Sequence, residues 1–186
     1  ELRDAGKVSM YACGPTVYDV PHIGNGRMVL VFDVLRRYLE WSGLDVRFVS
    51  NITDIDDKII RRAHDEGRSS SEVAVEYEAA WYDATDRLGA KRPTVDPHAT
   101  AYVEAMVALI ARLVADDYAY ETGDGVYFQA EKVEGYGLLA RQSLDSLRAG
   151  ARVEGIDEKR SPYDFVLWKK AKPEEPADAK WPSPWG

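Results

Sequence analysis

His22, Asn25 and Cys13 share one glycine- and proline-containing stretch, Cys-Gly-Pro-Thr-Val-Tyr-Asp-Val-Pro-His-Ile-Gly-Asn-Gly-Arg at residues 13–27, which makes it the first place to look for chemistry. An imidazole and a carboxamide there can donate hydrogen bonds to a ligand, and Gly24 and Gly26 leave room for a close approach to the backbone. The stretch joins a strand-like run to a long helical run. A loop of that kind places backbone N–H groups and the positive end of a helix dipole at one point, which suits a phosphate. Cys13 is the only cysteine in the chain. A lone cysteine is most often a small hydrophobe, but this one precedes Gly-Pro at a strand end in a phosphate-type loop, so a functional role stays open beside the bland one. As a nucleophile it would need a base, and His22 lies nine residues on. As a metal ligand it would need partners, and the chain has no CxxC pair, no HExxH and no paired histidines, so it offers at most one ligand of a zinc site. The Gly-Asn-Gly-Arg piece lacks the third glycine of a dinucleotide fingerprint.

The elements that must position these groups follow from periodicity. Residues 7–12 alternate as a strand, with Val8, Met10 and Ala12 on one face. Residues 26–42 carry Met28, Val31, Phe32, Leu35 and Leu39 at helical spacing, and Gly43 follows as a stop. Leu30, Val34 and Trp41 form a second apolar face, which predicts a helix wedged between a sheet and another layer. Residues 46–52 are rich in β-branched and aromatic side chains, so strand, helix and strand imply a parallel crossover. That second strand runs into Asn-Ile-Thr-Asp-Ile-Asp-Asp-Lys at 51–58, which shares the carboxyl edge of the sheet with residues 13–27, the edge where open α/β sheets bind ligands. Asp54 is expected to cap the next helix, with Asp56 and Asp57 complementing its first turn; the glycine and terminal glutamate of a calcium loop are absent.

Ser69 and Glu72 form a capping box for a further helix, and Asp96-Pro97 opens a third, running to about residue 115 with Tyr102, Val103, Met106, Ile110, Leu113 and Val114 as its core stripe. His64 and His98 read as surface or capping residues. Beyond residue 117 the texture turns to β: residues 119–121, a Gly-Asp-Gly turn and residues 126–129 form a hairpin, and one later apolar run, 165–168, belongs to the same smaller unit. The expected organisation is an α/β fold, the first half of a Rossmann-type nucleotide-binding domain with parallel strands over residues 1–115, followed by a smaller β-containing insertion over 116–186.

Among the 186 residues 45% are apolar and 30% charged, ordinary values for a globular domain. No run has the length of a membrane span, and one cysteine forms no internal disulfide, so a reducing compartment, the cytoplasm, is expected. A formal charge of −8 argues against non-specific coating of DNA or other nucleic acid, though not against a local basic strip. The chain starts at Glu1 and stops at Trp-Pro-Ser-Pro-Trp-Gly, so it reads as a fragment.

His22-Ile23-Gly24-Asn25, after a strand and before a helix, resembles the HIGH signature of class I aminoacyl-tRNA synthetases. With Tyr-Ala-Cys-Gly-Pro-Thr-Val-Tyr-Asp before it and Asn-Ile-Thr-Asp-Ile-Asp-Asp-Lys-Ile-Ile after it, the chain resembles the N-terminal part of the cysteinyl-tRNA synthetases. Gly-Ala-Arg-Val at 150–153, Asp-Phe-Val-Leu-Trp-Lys at 164–169 and the terminal Trp-Pro-Ser-Pro-Trp-Gly extend the likeness over nearly the whole chain. The resemblance implies activation of cysteine by ATP, with Mg2+, to cysteinyl-adenylate, and transfer to tRNA(Cys). It implies catalytic roles for His22 and Asn25, ATP contacts from His22, Gly24 and Asn25, cysteine contacts from Gly14, Thr16 and Thr53, and Cys13 as the first ligand of one Zn2+ per full-length chain. Asn25 stands where the family often has histidine; it keeps a donor but no protonatable group. The other zinc ligands, the KMSKS loop and the second Rossmann half are expected outside these residues, which leaves the isolated fragment inactive. Two alternatives remain: the related ligase joining cysteine to an amino sugar in mycothiol synthesis, and a non-catalytic nucleotide-binding module.

Overall fold

A computed structural model of the chain describes residues 4–139, 141, 158–173 and 175–186. Gly-Ala-Arg-Val at 150–153 lies outside the described residues. Strand β1, Lys7–Ala12, pairs in parallel with β2, Asp45–Ser50, with Ala12 opposite Ser50 at the carboxyl edge. Helix α1, Ile23–Trp41, makes the crossover between them. Phe32 of α1 stacks on Phe48 of β2 with ring centroids 6.2 Å apart. Helices α2, Asp57–Glu66, and α3, Ser70–Arg87, follow. The core of this region gathers Val17, Ile52, Ile59, Ala63, Val73, Tyr77 and Trp81. Val17 and Ile52 are each 1% exposed, so the loops after β1 and β2 are both nailed to that core by one apolar side chain. That burial keeps the residues on either side of them in fixed positions at the sheet edge.

The chain separates into two compact units: Glu1–Val103 with Glu175–Lys180, and Glu104–Glu174 with Trp181–Gly186. In the first, Asp178 accepts from the backbone N–H groups of Ser70 (2.7 Å) and Ser71 (3.3 Å), at the start of α3. The second holds α4, Val103–Ala115, from its second residue on, and the antiparallel sheet of β3, Ala119–Glu121, β4, Gly125–Phe128, and β5, Phe165–Lys169, in the order β3-β4-β5. Its core contains Ile110, Ala119, Val126 and Trp185. The hairpin expected after residue 117 is present, and the later apolar run is its third strand.

Several local expectations are corrected. Helix α1 begins three residues earlier than periodicity suggests, because His22 caps it. The cap of α2 is Asp56, whose carboxylate accepts from the Lys58 N–H at 2.9 Å. Asp54 instead accepts from the backbone N–H (3.0 Å) and hydroxyl (2.5 Å) of Thr100. The segment after Pro97 is not yet α-helical: His98 bridges to Ile52 in a parallel pairing, and a 3₁₀ turn, Ala99–Tyr102, precedes α4. Tyr102 and Met106 are exposed, whereas Val103 and Ile110 are buried. The second layer expected over α1 is not supplied by the described residues: Leu30 is 37% exposed, Val34 65% and Trp41 82%, and an open apolar groove of about 520 Å³ is lined by Leu30, Val31 and Val34. On its other side α1 is held by polar contacts. Buried Asp33 accepts from Arg37 Nε (2.7 Å) and from the Lys91 N–H (2.9 Å), and Arg36 donates to the Arg92 carbonyl at 2.7 Å.

Candidate active site

Two loops meet at the carboxyl edge of the parallel pair. Thr16 and Thr53 bridge in parallel: the Thr53 N–H donates to the Pro15 carbonyl (2.9 Å) and the Val17 N–H donates to the Thr53 carbonyl (3.2 Å). Gly14, Thr16 and Thr53, the three residues expected around cysteine, are therefore brought together and half-buried. Gly14 has no alternative at its position. A Cβ there would fall 1.6 Å from the Asn51 carbonyl oxygen, because the two backbones lie against each other.

Sequence reasoning gave Asn51 no role, yet its side chain ties the site together. Its Oδ1 accepts from the Gly14 N–H and from the Tyr11 hydroxyl, each at 2.9 Å, and its Nδ2 donates to Thr53 Oγ1 at 2.9 Å. The available signal was positional: Asn51 is the first residue past β2, and Gly14 is the second past its parallel partner β1.

At the start of α1, His22 Nδ1 accepts from the Gly24 N–H at 3.0 Å, and Asn25 Oδ1 accepts from the His22 N–H at 3.0 Å, a reciprocal capping box. An Nδ1 that accepts leaves the proton of the neutral ring on Nε2, which has no partner among the described residues. Asn25 likewise keeps its amino group as a donor. The first turn uses several of its own amides, since the Asn25 and Gly26 N–H groups donate to the His22 carbonyl at 2.9 and 3.3 Å. The outward donors are thus two side chains more than the backbone. Gly24 serves the cap itself, because a Cβ on it would lie 2.8 Å from His22 Cε1, and a Cβ on Gly26 would lie 3.1 Å from Leu88 Cδ1.

The loop between these two places is braced by Asp19, which pairs with Arg62 at 3.1 Å, and by Tyr18, whose ring carries Lys58 Nζ 4.7 Å above its centre. His98, whose backbone pairs with Ile52, has Nε2 at 3.0 Å from both carboxylate oxygens of Glu78. Partial burial works to lower its pKa, but the Glu78 carboxylate outweighs that and raises it above the ordinary histidine value. His64 is exposed beside Asp65. Cys13 is exposed, with only a long 3.8 Å contact from Sγ to the Gly14 carbonyl. No group of three or more metal-ligating side chains occurs among the described residues. These residues do not by themselves fit a zinc ion.

The profile of the tRNA synthetases class I (C) catalytic domain family matches residues 1–186. The chain belongs to that family. It is 51% identical over 183 residues to a protein named Cysteine–tRNA ligase from Clostridioides difficile, covering 98% of this chain and 39% of the relative. Against the Cysteine–tRNA ligase of Nitratidesulfovibrio vulgaris it is 52% identical over 182 residues, covering 97% and 37%, and against that of Ralstonia pickettii 48% over 184 residues, covering 98% and 40%. The chain thus spans about two-fifths of the length of the curated relatives it matches. The parallel α/β unit and the separate antiparallel sheet accord with the fold class read from the sequence. Among the described residues no helix is long and apolar enough to cross a membrane.

Proposed function

We propose that the protein to which these residues belong activates cysteine with ATP and transfers it to tRNA(Cys) in the cytoplasm. A cysteine carboxylate oxygen attacks the α-phosphorus of Mg2+-bound ATP, the bond to the bridging oxygen breaks, and pyrophosphate leaves with that electron pair. The adenylate then acylates the terminal adenosine of the tRNA. Such a displacement depends on alignment of the reactants and on donors for the phosphate charge more than on a general base. The outward Nε2–H of His22 and the amino group of Asn25, beside the positive end of α1, suit the phosphates. Gly14, Thr16 and Thr53, zipped together one loop away, suit the amino acid. Cys13, an exposed thiol at the same edge, suits one ligand position of a zinc ion completed by residues outside this chain. The antiparallel unit would then be the insertion between the two Rossmann halves.

The observation that carries this reading is the pairing of a capped His-Ile-Gly-Asn turn with about 50% identity, across nearly the whole chain, to proteins named Cysteine–tRNA ligase. None of the comparisons favours the amino-sugar ligase or a non-catalytic module. ATP–pyrophosphate exchange by the complete protein, measured with each of the protein amino acids in turn, tests it. Exchange with cysteine alone is the expected result, and exchange with another amino acid or with none would overturn it.

A further inference from the structure

We propose that Asn51 is a positioning residue that fixes the Thr53 hydroxyl as a hydrogen-bond donor to the amino-acid substrate. The Gly14 backbone N–H can only donate. The Asn51 side-chain atom 2.9 Å from the Gly14 nitrogen must therefore be the carboxamide oxygen, and the Tyr11 hydroxyl 2.9 Å from the same atom agrees. The amino group is then the atom that faces Thr53 Oγ1, at 2.9 Å. A hydroxyl oxygen that accepts from this amino group must turn its own single proton elsewhere. No described residue takes that proton. Thr53 is half-buried at the sheet edge, with its backbone locked to Pro15 and Val17, so the hydroxyl is held in place with its donor side free. The ligand chemistry that this favours is an acceptor, such as the thiolate or carboxylate of the amino acid.

This inference rests on the cysteine reading of the site and adds to it the direction of one hydrogen bond. Asn51→Asp keeps two acceptor oxygens for Gly14 and Tyr11 but turns the donor facing Thr53 into an acceptor. The Thr53 hydroxyl then rotates to donate to Asn51's replacement and presents lone pairs to the substrate. Loss of one hydrogen bond to a charged acceptor corresponds to about a 10- to 100-fold rise in the KM for cysteine, with the KM for ATP unchanged. Because the effect passes through the Thr53 hydroxyl, Asn51→Asp and Thr53→Ala together should raise that KM no further than Thr53→Ala alone.

Should Asn51→Asp fold poorly, Tyr11→Phe, at an exposed residue, removes one anchor of the same amide; it should raise the cysteine KM by about 2- to 3-fold only while Thr53 keeps its hydroxyl. The experiment is steady-state exchange by the complete protein carrying these single and double substitutions, with ATP KM and thermal midpoint as checks on folding. Unmutated protein without cysteine-dependent exchange would defeat the cysteine reading. Active unmutated protein whose Asn51 and Thr53 effects simply add, or whose Asn51→Asp variant keeps the wild-type cysteine KM, would overturn the positioning role alone.

Discussion

Replacing His22 separates two roles that its ring combines. Nδ1 caps α1 through the Gly24 N–H at 3.0 Å, while Nε2–H has no partner among the described residues and is left to donate to a ligand. His22→Ala removes both. Loss of the cap costs about 1 kcal/mol of stability, and loss of one preorganised donor to the transition state costs about 2–4 kcal/mol, roughly a 30- to 1000-fold fall in exchange rate. His22→Asn divides the two. Asparagine is among the best N-caps, so it restores the bond to the Gly24 N–H, and the reciprocal bond from the residue 22 backbone N–H to Asn25 Oδ1 is untouched. Its amino group remains a donor, but it stands where the ring has Cδ2 and falls short of the place of Nε2–H. The expected result is a thermal midpoint close to wild type for His22→Asn and a lower one for His22→Ala, with exchange reduced in both by the same factor. The assay is cysteine-dependent ATP–pyrophosphate exchange by the complete protein, alongside thermal unfolding. Wild-type exchange in His22→Asn would refute the donor role, and equal stability of the Ala and Asn variants would refute the cap.

Gly14→Ala forces a Cβ into the Asn51 backbone, where it would lie 1.6 Å from the carbonyl oxygen; overpacking of that kind costs about 1–3 kcal/mol or more, read as a lower thermal midpoint with a raised cysteine KM. The His98–Glu78 pair has a defined pH signature. Because the folded pKa of His98 is raised, its stabilisation is fully present below the unfolded value of about 6.5 and is lost as pH rises through the folded value. Glu78→Gln should therefore lower stability most near about pH 5–6, by less than about 1 kcal/mol for so exposed a pair, read as a lower thermal midpoint there, and have no effect well above neutrality; a difference growing with pH would contradict this. Metal analysis after dialysis should find one zinc in the complete protein, lost on Cys13→Ser, and substoichiometric zinc in residues 1–186 alone, since one thiol offers too few ligands.

The elements whose shape is set by neighbours in sequence were the legible ones. Alternation gave β1 to the residue, and Ser69 with Glu72 announced the capping box that starts α3, where the Glu72 carboxylate accepts from the Ser69 N–H at 2.9 Å. The start of α1 was missed because its cap is an imidazole, an uncommon substitute for a hydroxyl or carboxylate. Asp56 takes the cap expected of Asp54, and Asp54 is turned away by a partner 46 residues on, the turn at Thr100. Asn51 and buried Asp33 illustrate the same limit: each is fixed by partners from another loop, and no local pattern marks them. The candidate site residues were legible through family resemblance, whereas the contacts that join Gly14 to Thr53 required the fold.

In the proposed reaction an adenylate of cysteine formed at this edge is passed to tRNA, so the test follows the cysteinyl group itself. The complete protein, given labelled cysteine, ATP, Mg2+ and tRNA(Cys), should form an ester at the terminal adenosine of the tRNA in an amount that saturates with tRNA and releases one AMP per cysteine transferred. Cysteine-dependent exchange with no label on tRNA, or label passed instead to an amino sugar, would contradict the account.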